Sequence, residues 1–403
     1  MNKYFCSAPF YQIEISPHGA ARVCCKMPKE TVLKDNGKEF LLQDSSISEI
    51  WGSNWMNNFR QRFINEEKRP ECEECWKEED AGVFSFRQQQ SHIPVNVKKP
   101  VITELVLKLS NKCNCACRIC TWYLSSLWES EFKKTSRMPN EHMTWFVDGN
   151  SANKVTTHNW EDWKTHLGTV RHLSLYGGEP LINDEALKLL DYLINENLSQ
   201  NIDIGLNTNG TIINDRVISM LGKFQKVNLH FSIDDIGDRF EYQRWPAKSS
   251  SVFKSLKDLH DGQYAWNNSK GSQFQIIFYP TISVFNILHL NDILLEFKKY
   301  PDFLVNFDSV IHNPEYLAIH VLPESIKPIV EQAIQNIDLD NVNWWRKDDH
   351  KKILINFLHL STSPYTTEEY VQILDNKLSI DDQRRKQDWR RSFPEIYNLL
   401  SSQ

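Results

Sequence analysis

All nine cysteines of this chain lie within the first 120 of its 403 residues, and no other feature constrains it as tightly. They are Cys6, Cys24, Cys25, Cys72, Cys75, Cys113, Cys115, Cys117 and Cys120. Met1–Pro9 is too short and polar to read as a secretory signal, so a disulfide framework is disfavoured. No apolar run approaches the roughly 18–20 residues of a membrane span. The expectation is a soluble, cytoplasmic protein with clustered thiols, and in a reducing compartment such thiols point to metal.

The length fits two or three folding units. A composition that is 40% hydrophobic and 24% charged is ordinary for a globular protein. The net charge of −6 supplies no basic field, which weighs against duplex nucleic acid as an electrostatically held partner. Residues 1–95 open with alternation at Tyr11, Ile13 and Ile15, followed by Pro17-His18-Gly19. That pattern predicts a β-hairpin returning through Val23. Ser53 can cap a helix with Trp55, Phe59 and Phe63 on one face, ended by Pro70 before Cys72 and Cys75. Gln88–Pro100 reads as a linker.

Residues 96–310 change to strand–helix alternation. Candidate strands are Glu104–Leu109, Val170–Tyr176, Asp203–Asn207, Lys226–Ile233, Phe274–Ile282 and Phe303–Ser309. The clearest helix runs from about Asp184 to Leu198, with Leu187, Leu190 and Ile194 on one face. Repeated βα units predict an α/β fold with a parallel sheet, in which six strands are too few for an eightfold barrel. Residues 311–403 read as a helical extension with no legible role.

Cys113-x3-Cys117-x2-Cys120 directly follows the first of these strands. Three thiolates this close can ligate three irons of a [4Fe–4S] cubane and leave the fourth open. Further along, Tyr176-Gly177-Gly178-Glu179-Pro180 ends the second strand, where two glycines permit close backbone approach and a carboxylate can receive an ammonium. The third strand ends in Asn207-Thr208-Asn209-Gly210 and the fourth in Ser232-Ile233-Asp234-Asp235. Small polar side chains at strand C-terminal ends are where α/β active sites gather.

Together these segments resemble the radical S-adenosylmethionine (AdoMet) superfamily over about Val101–Ser309. The resemblance implies a partial (β/α)6 barrel with AdoMet chelated at the open iron. One electron then cleaves it to a 5′-deoxyadenosyl radical that abstracts a substrate hydrogen atom. It also implies that Gly177, Gly178 and Glu179 hold the AdoMet amino group and that Ser232 and Arg244 face its carboxylate. Asn207 or Asp234 would meet its ribose or methionine portion, and Ile119 would pack on adenine. The sequence departs from the family pattern at Ile119, where an aromatic residue is usual, and at Asp235, where a glycine is common.

Cys6, Cys24, Cys72 and Cys75 could saturate a second cubane, and a four-cysteine zinc site would suit the Cys72-x2-Cys75 pair equally well. The segment resembles the twitch module, the short form of the SPASM auxiliary-cluster domain. Here it stands before the barrel instead of after it. Cys24 is favoured over Cys25 by its distance from Gly19, and Cys115 is counted as a spare thiol. The resemblance implies a radical AdoMet oxidoreductase with two [4Fe–4S] clusters and an electron donor such as flavodoxin or ferredoxin. The favoured reaction is oxidative modification or cross-linking of a ribosomally made peptide or protein. The alternatives are a dehydrogenase, epimerase or mutase acting on a small metabolite or nucleoside and, more distantly, a non-catalytic iron–sulfur or zinc-binding interaction protein.

Overall fold

The structure is a computed structural model that describes residues 3–17, 19–28, 33–42, 44–80, 84–135, 160–270, 273–307, 309–345 and 349–402. The chain divides into two compact units. The first comprises Met1–Cys113, Tyr123–Asn207 and Arg216–Val227; the second comprises Asn114–Trp122, Thr208–Asp215 and Asn228–Gln403.

In the first unit, β1 (Gln12–Ile15) and β2 (Ala21–Arg22) form the expected antiparallel hairpin. His18, in its turn, lies outside the described residues. A two-stranded ribbon, β3 (Lys34–Asp35) with β4 (Lys38–Glu39), follows. The hairpin does not stand apart from the strands that come later. β1 pairs in parallel with β5 (Glu104–Leu107), in register from Gln12↔Glu104 to Ile15↔Leu107. β5 pairs in parallel with β6 (His172–Leu175), and β6 with β7 (Asp203–Thr208). The hairpin therefore extends the parallel sheet at its β5 edge. All four residues of β1 are buried, because covered faces and a neighbour on each edge leave it no solvent side. Glu14 tolerates this position by pairing with Lys108, at 2.6 Å.

The second unit holds most of β8 (Lys226–Phe231), then β9 (Gln273–Phe278) and β10 (Leu304–Val305), the last two paired in parallel. The strands thus fall where the sequence places them, and the fold is the expected α/β class with a mostly parallel sheet. In β7 and β8 buried and half-buried residues alternate. One face packs against the apolar core and the other keeps polar side chains such as Asn207 and His230, as a site-bearing sheet requires.

Several local expectations change. The helix capped by Ser53 is Asn54–Ile64, with the Ser53 hydroxyl accepting the Met56 N–H at 3.2 Å. It stops at Ile64, well before Pro70, which instead opens the short 3-10 turn Pro70–Cys72. Part of the expected linker is the helix Phe86–Gln90, started by a reciprocal Ser85/Gln88 capping box. The helix Asp184–Asn195 buries Ala186, Leu189, Leu190 and Leu193, a face rotated slightly from the expected one. Beyond residue 311 the extension is helical, as expected, and includes Lys327–Gln335, His350–Leu358, Thr367–Arg385 and Pro394–Ser401. No helix among the described residues is long and apolar enough to cross a membrane.

Ile13 is fully buried in β1, between β2 and β5. Ile13→Ala is expected to cost about 2–5 kcal/mol, the usual range for a cavity of this size. Chemical denaturation of the metal-free chain measures it.

Candidate functional site

In the first unit the segment leading to Cys113 is held by the Gly-Gly turn after β6. Gly177 and Gly178 have φ of +76° and +61°, the left-handed region that glycine enters without penalty. A Cβ on Gly178 would stand 2.4 Å from the Lys112 carbonyl oxygen, so no other residue fits there. The Gly178 N–H donates to the Leu124 carbonyl (3.1 Å) and the Glu179 N–H to that of Lys112 (2.8 Å). Cys113 is fixed in turn, its N–H donating to the Ser126 hydroxyl at 3.1 Å. The Glu179 side chain is buried, with Oε1 accepting the Leu181 N–H at 3.2 Å. Asn207, on β7, keeps a buried Oδ1 without a hydrogen-bond partner. An orphaned acceptor of this kind suits a ligand that brings a donor.

In the second unit Cys117, Ile119 and Cys120 sit on a loop clipped to the segment 243–245. The Ala116 N–H donates to the Trp245 carbonyl (2.7 Å) and the Arg118 N–H to that of Gln243 (2.8 Å). Between these clips lies Arg244, whose Nη1 stands 3.8 Å from the Cys117 sulfur and whose Nε pairs with Asp234 at 2.8 Å. Asp234 is fully buried and also accepts the Thr281 N–H at 2.8 Å. The Cys117 thiol is held below its usual pKa, first by a hydrogen bond with Cys115 and then by the Arg244 charge, against the opposing effect of burial. This is an electrostatic setting that favours thiolate, the form that ligates iron. Cys115, a spare thiol in the sequence reading, is buried and accepts from the Asn209 amide at 3.4 Å. Ser232 is half-buried just after β8, its N–H donating to the Thr208 carbonyl at 2.9 Å. Asp235, at the usual glycine position, is buried against Arg239 at 2.9 Å.

The N-terminal thiols lie wholly in the first unit. Cys6 precedes the turn Ala8–Phe10, and Cys24 follows β2. Cys72 ends the turn Pro70–Cys72, and Cys75 lies in the helix Glu73–Asp80. Burial pushes the Cys6 thiol up to about 12, with the Cys75 charge adding to the effect. Cys72 is raised by burial and then by Cys6 and Cys75. Cys24 is raised well above its usual value by burial and then by Cys25, Cys6 and Cys72. Cys6 is thus influenced by Cys75, Cys72 by Cys6 and Cys75, and Cys24 by Cys25, Cys6 and Cys72, while Cys75 is raised chiefly by burial. Cys25, raised by burial to about 11, responds instead to Glu14, Lys108, Lys26 and Arg22. Among the described residues no three His, Cys, Asp or Glu side chains are gathered for a single metal ion.

Arginines brace this thiol group, and motif reading overlooked them. Arg87 pairs with Glu79 at 2.6 Å, donates to the Phe5 carbonyl at 2.8 Å and lies 4.6 Å over the Trp76 ring. Arg69 is 2% exposed and pairs with Glu71 at 2.5 Å. Arg22 donates to the Cys25 carbonyl at 3.2 Å and to the Met27 carbonyl.

Comparison with known proteins finds two matching families. Residues 107–264 match the radical SAM superfamily, and residues 6–76 match an iron–sulfur cluster-binding domain, SPASM. The chain thus carries a segment matching the radical SAM superfamily, preceded on its N-terminal side by one matching an auxiliary-cluster domain. No curated protein matches it. Among solved structures it is similar to anSMEcpe with bound AdoMet and Cp18Cys peptide, at 17% identity over 58% of each chain, with a TM-score of 0.34. It is also similar to Streptococcus suis SuiB bound to S-adenosylmethionine, at 15% identity over 62% of this chain and 52% of that one, with a TM-score of 0.36. For SuiB bound to precursor peptide SuiA the values are 13%, 91%, 60% and 0.31. The chain spans 58% of the length of anSMEcpe. The cofactors that go with these domains are [4Fe–4S] clusters and AdoMet.

Gly178→Ala is expected to weaken AdoMet binding at least about tenfold and to destabilise the chain by about 1–3 kcal/mol, through left-handed strain and the carbonyl clash. Calorimetric titration and thermal melting of the reconstituted protein check the two effects separately.

Proposed function

We propose that Cys113, Cys117 and Cys120 hold a [4Fe–4S] cluster with one iron left for AdoMet, and that Cys6, Cys24, Cys72 and Cys75 hold a second, fully ligated one. When bound, the first cluster supplies the electron that converts AdoMet to a hydrogen-abstracting 5′-deoxyadenosyl radical. What supports the second assignment is that these thiols are raised by burial within one unit, Cys6 also by Cys75, Cys72 by Cys6 and Cys75, and Cys24 by Cys6 and Cys72 among its neighbours, and that residues 6–76 match a cluster-binding domain. Residues 1–95 would form the auxiliary module, 96–310 the radical SAM core and 311–403 the extension.

The chain's own residues have separable tasks in this reading. Glu179 and the backbone of Gly177 and Gly178 receive the AdoMet ammonium, and Asn207 Oδ1 accepts from its ribose or methionine portion. Ser232 is left for the carboxylate. Arg244 is already shared between Asp234 and the Cys117 sulfur, so its charge favours the ligating thiolate as well as an anionic ligand. Asp234 keeps that arginine in place. Ile119, half-buried on the loop, would pack on adenine.

The reaction we favour is net oxidation of a peptide or protein substrate, with electrons delivered by a flavodoxin or ferredoxin. A fully ligated second cluster has no open iron and is suited to receiving an electron. Redox-neutral work such as epimerisation would need a thiol donor, and the thiols left for it are Cys25 and Cys115, the latter hydrogen-bonded with Cys117 and Asn209. Dehydrogenation or rearrangement of a small metabolite is the second reading.

Anaerobically reconstituted protein should release 5′-deoxyadenosine from AdoMet and a reductant, and absence of release would defeat the enzymatic reading. Iron content should be about eight per chain and fall to about four when Cys113, Cys117 and Cys120 are all changed to alanine. Zinc in the remaining site would refute the auxiliary cluster alone. Glu179→Ala should weaken AdoMet binding by roughly ten- to a hundredfold, the worth of a charge-assisted hydrogen bond. Product formed in deuterated water with one solvent-derived C–D bond would exclude net oxidation.

A further inference from the structure

Residues 367–393 bear no cysteine and no AdoMet motif, yet within the second unit they are joined to the loop that carries Cys117 and Cys120. Arg118 lies inside the Cys117-x2-Cys120 stretch and is 2% exposed. Its guanidinium reaches the helix Thr367–Arg385, with Nη2 2.5 Å from Asp382 and Nη1 3.9 Å from Asp381. It also lies 4.3 Å over the Tyr242 ring and donates to the Gln387 side chain at 3.1 Å.

The return connection comes from the same helix. Arg385 donates to the Ala116 carbonyl at 3.1 Å and lies 4.7 Å over the Trp245 ring. Asp382 accepts from Tyr242 Oη at 2.9 Å and from the Trp389 N–H at 3.0 Å as well as from Arg118. One arginine thus runs from the loop to the helix and the other from the helix to the loop. Both stack on rings of the segment whose backbone carbonyls at Gln243 and Trp245 hold the loop from the other side.

We propose that Arg118 and Arg385 are positioning residues for the AdoMet-binding cluster, and that the C-terminal helix is part of that cluster's holder. A loop that presents thiolates to iron must keep its shape when the metal is absent. Short Asn- and Cys-rich sequence has little apolar area with which to do so. Two buried, stacked arginines supply rigidity because the planar fork fixes several donors at once. The cost of burying them is offset only while Asp381, Asp382 and the carbonyl partners remain in place. The inference rests on the triplet holding the AdoMet-binding cluster.

The test uses the full-length, two-cluster protein and follows iron loss to a chelator. The AdoMet-sensitive electron paramagnetic resonance signal of the reduced protein reports the site-differentiated cluster alone. Arg118→Gln and Arg385→Gln should each speed loss of that signal by roughly tenfold or more, while the other cluster leaves at the parental rate. Arg118→Lys, which keeps the charge opposite Asp382 but not the fork, should fall between Arg118→Gln and the parent. The paired Arg118→Gln/Asp382→Asn variant removes both charges of the 2.5 Å pair, so it reports on positioning even if Arg118→Gln alone unfolds. Parental loss rates in that pair and in Arg385→Gln would overturn the proposal, as would equal acceleration of both clusters with a matching fall in melting temperature. A parent chain with no AdoMet-sensitive signal would instead refute the assignment of the triplet.

Discussion

A thiolate buried in protein is costly, and a second one brought beside it raises the cost again, because neither desolvation nor like charge can be relaxed by water. The N-terminal part of the chain is built on that conflict. Cys6, Cys24 and Cys72 are each driven up by burial and then by neighbouring cysteines, and Cys75 by burial above all. The arginines around them are mostly engaged by carboxylates and carbonyls, Arg87 with Glu79 and Arg69 with Glu71. In the proposed assignment iron would resolve such a group, since it takes the sulfurs as thiolates and supplies the compensating charge.

The sheet then determines where that module stands in its unit. Parallel pairing of β1 with β5 replaces a flexible tether by a row of backbone hydrogen bonds, from Thr103 N–H on the Tyr11 carbonyl to Lys108 N–H on that of Ile15. β5 runs on towards Cys113. The strand next to the auxiliary thiols and the strand that leads into the cysteine triplet are therefore neighbours in one sheet. A module placed before the core in sequence can in this way be a built-in edge of it.

Around Cys117 the electrostatic logic is reversed. Here the protein lowers the cost of the thiolate, through Cys115 and the Arg244 charge, while Asp234 keeps that arginine in place. The Gly177–Gly178 turn does the corresponding geometric work in the first unit, where backbone rather than side chain meets the Lys112 carbonyl. The two thiol groups thus differ in physical setting, one dominated by burial and the other relieved by charge.

By itself the sequence determined the cysteine spacings, the six strand positions and the strand-end motifs. These are local patterns, and period-two alternation, glycine pairs and thiol spacing survive without any tertiary context. It was silent, or slightly wrong, where partners are distant or signals compete. The capping box at Ser85 and Gln88 was legible but was masked by polar composition, and Pro70 was read as a helix stop because it follows one. Nothing in Arg118 or Arg385 distinguishes them from surface arginines until Asp382, Tyr242 and Trp245 are brought around them. Only the tertiary structure decided that the hairpin pairs with β5, and that Arg118 and Arg385 join the loop and the helix from opposite ends. Those outcomes depend on which buried groups can satisfy one another, and residues far apart in the chain become partners only once it has folded.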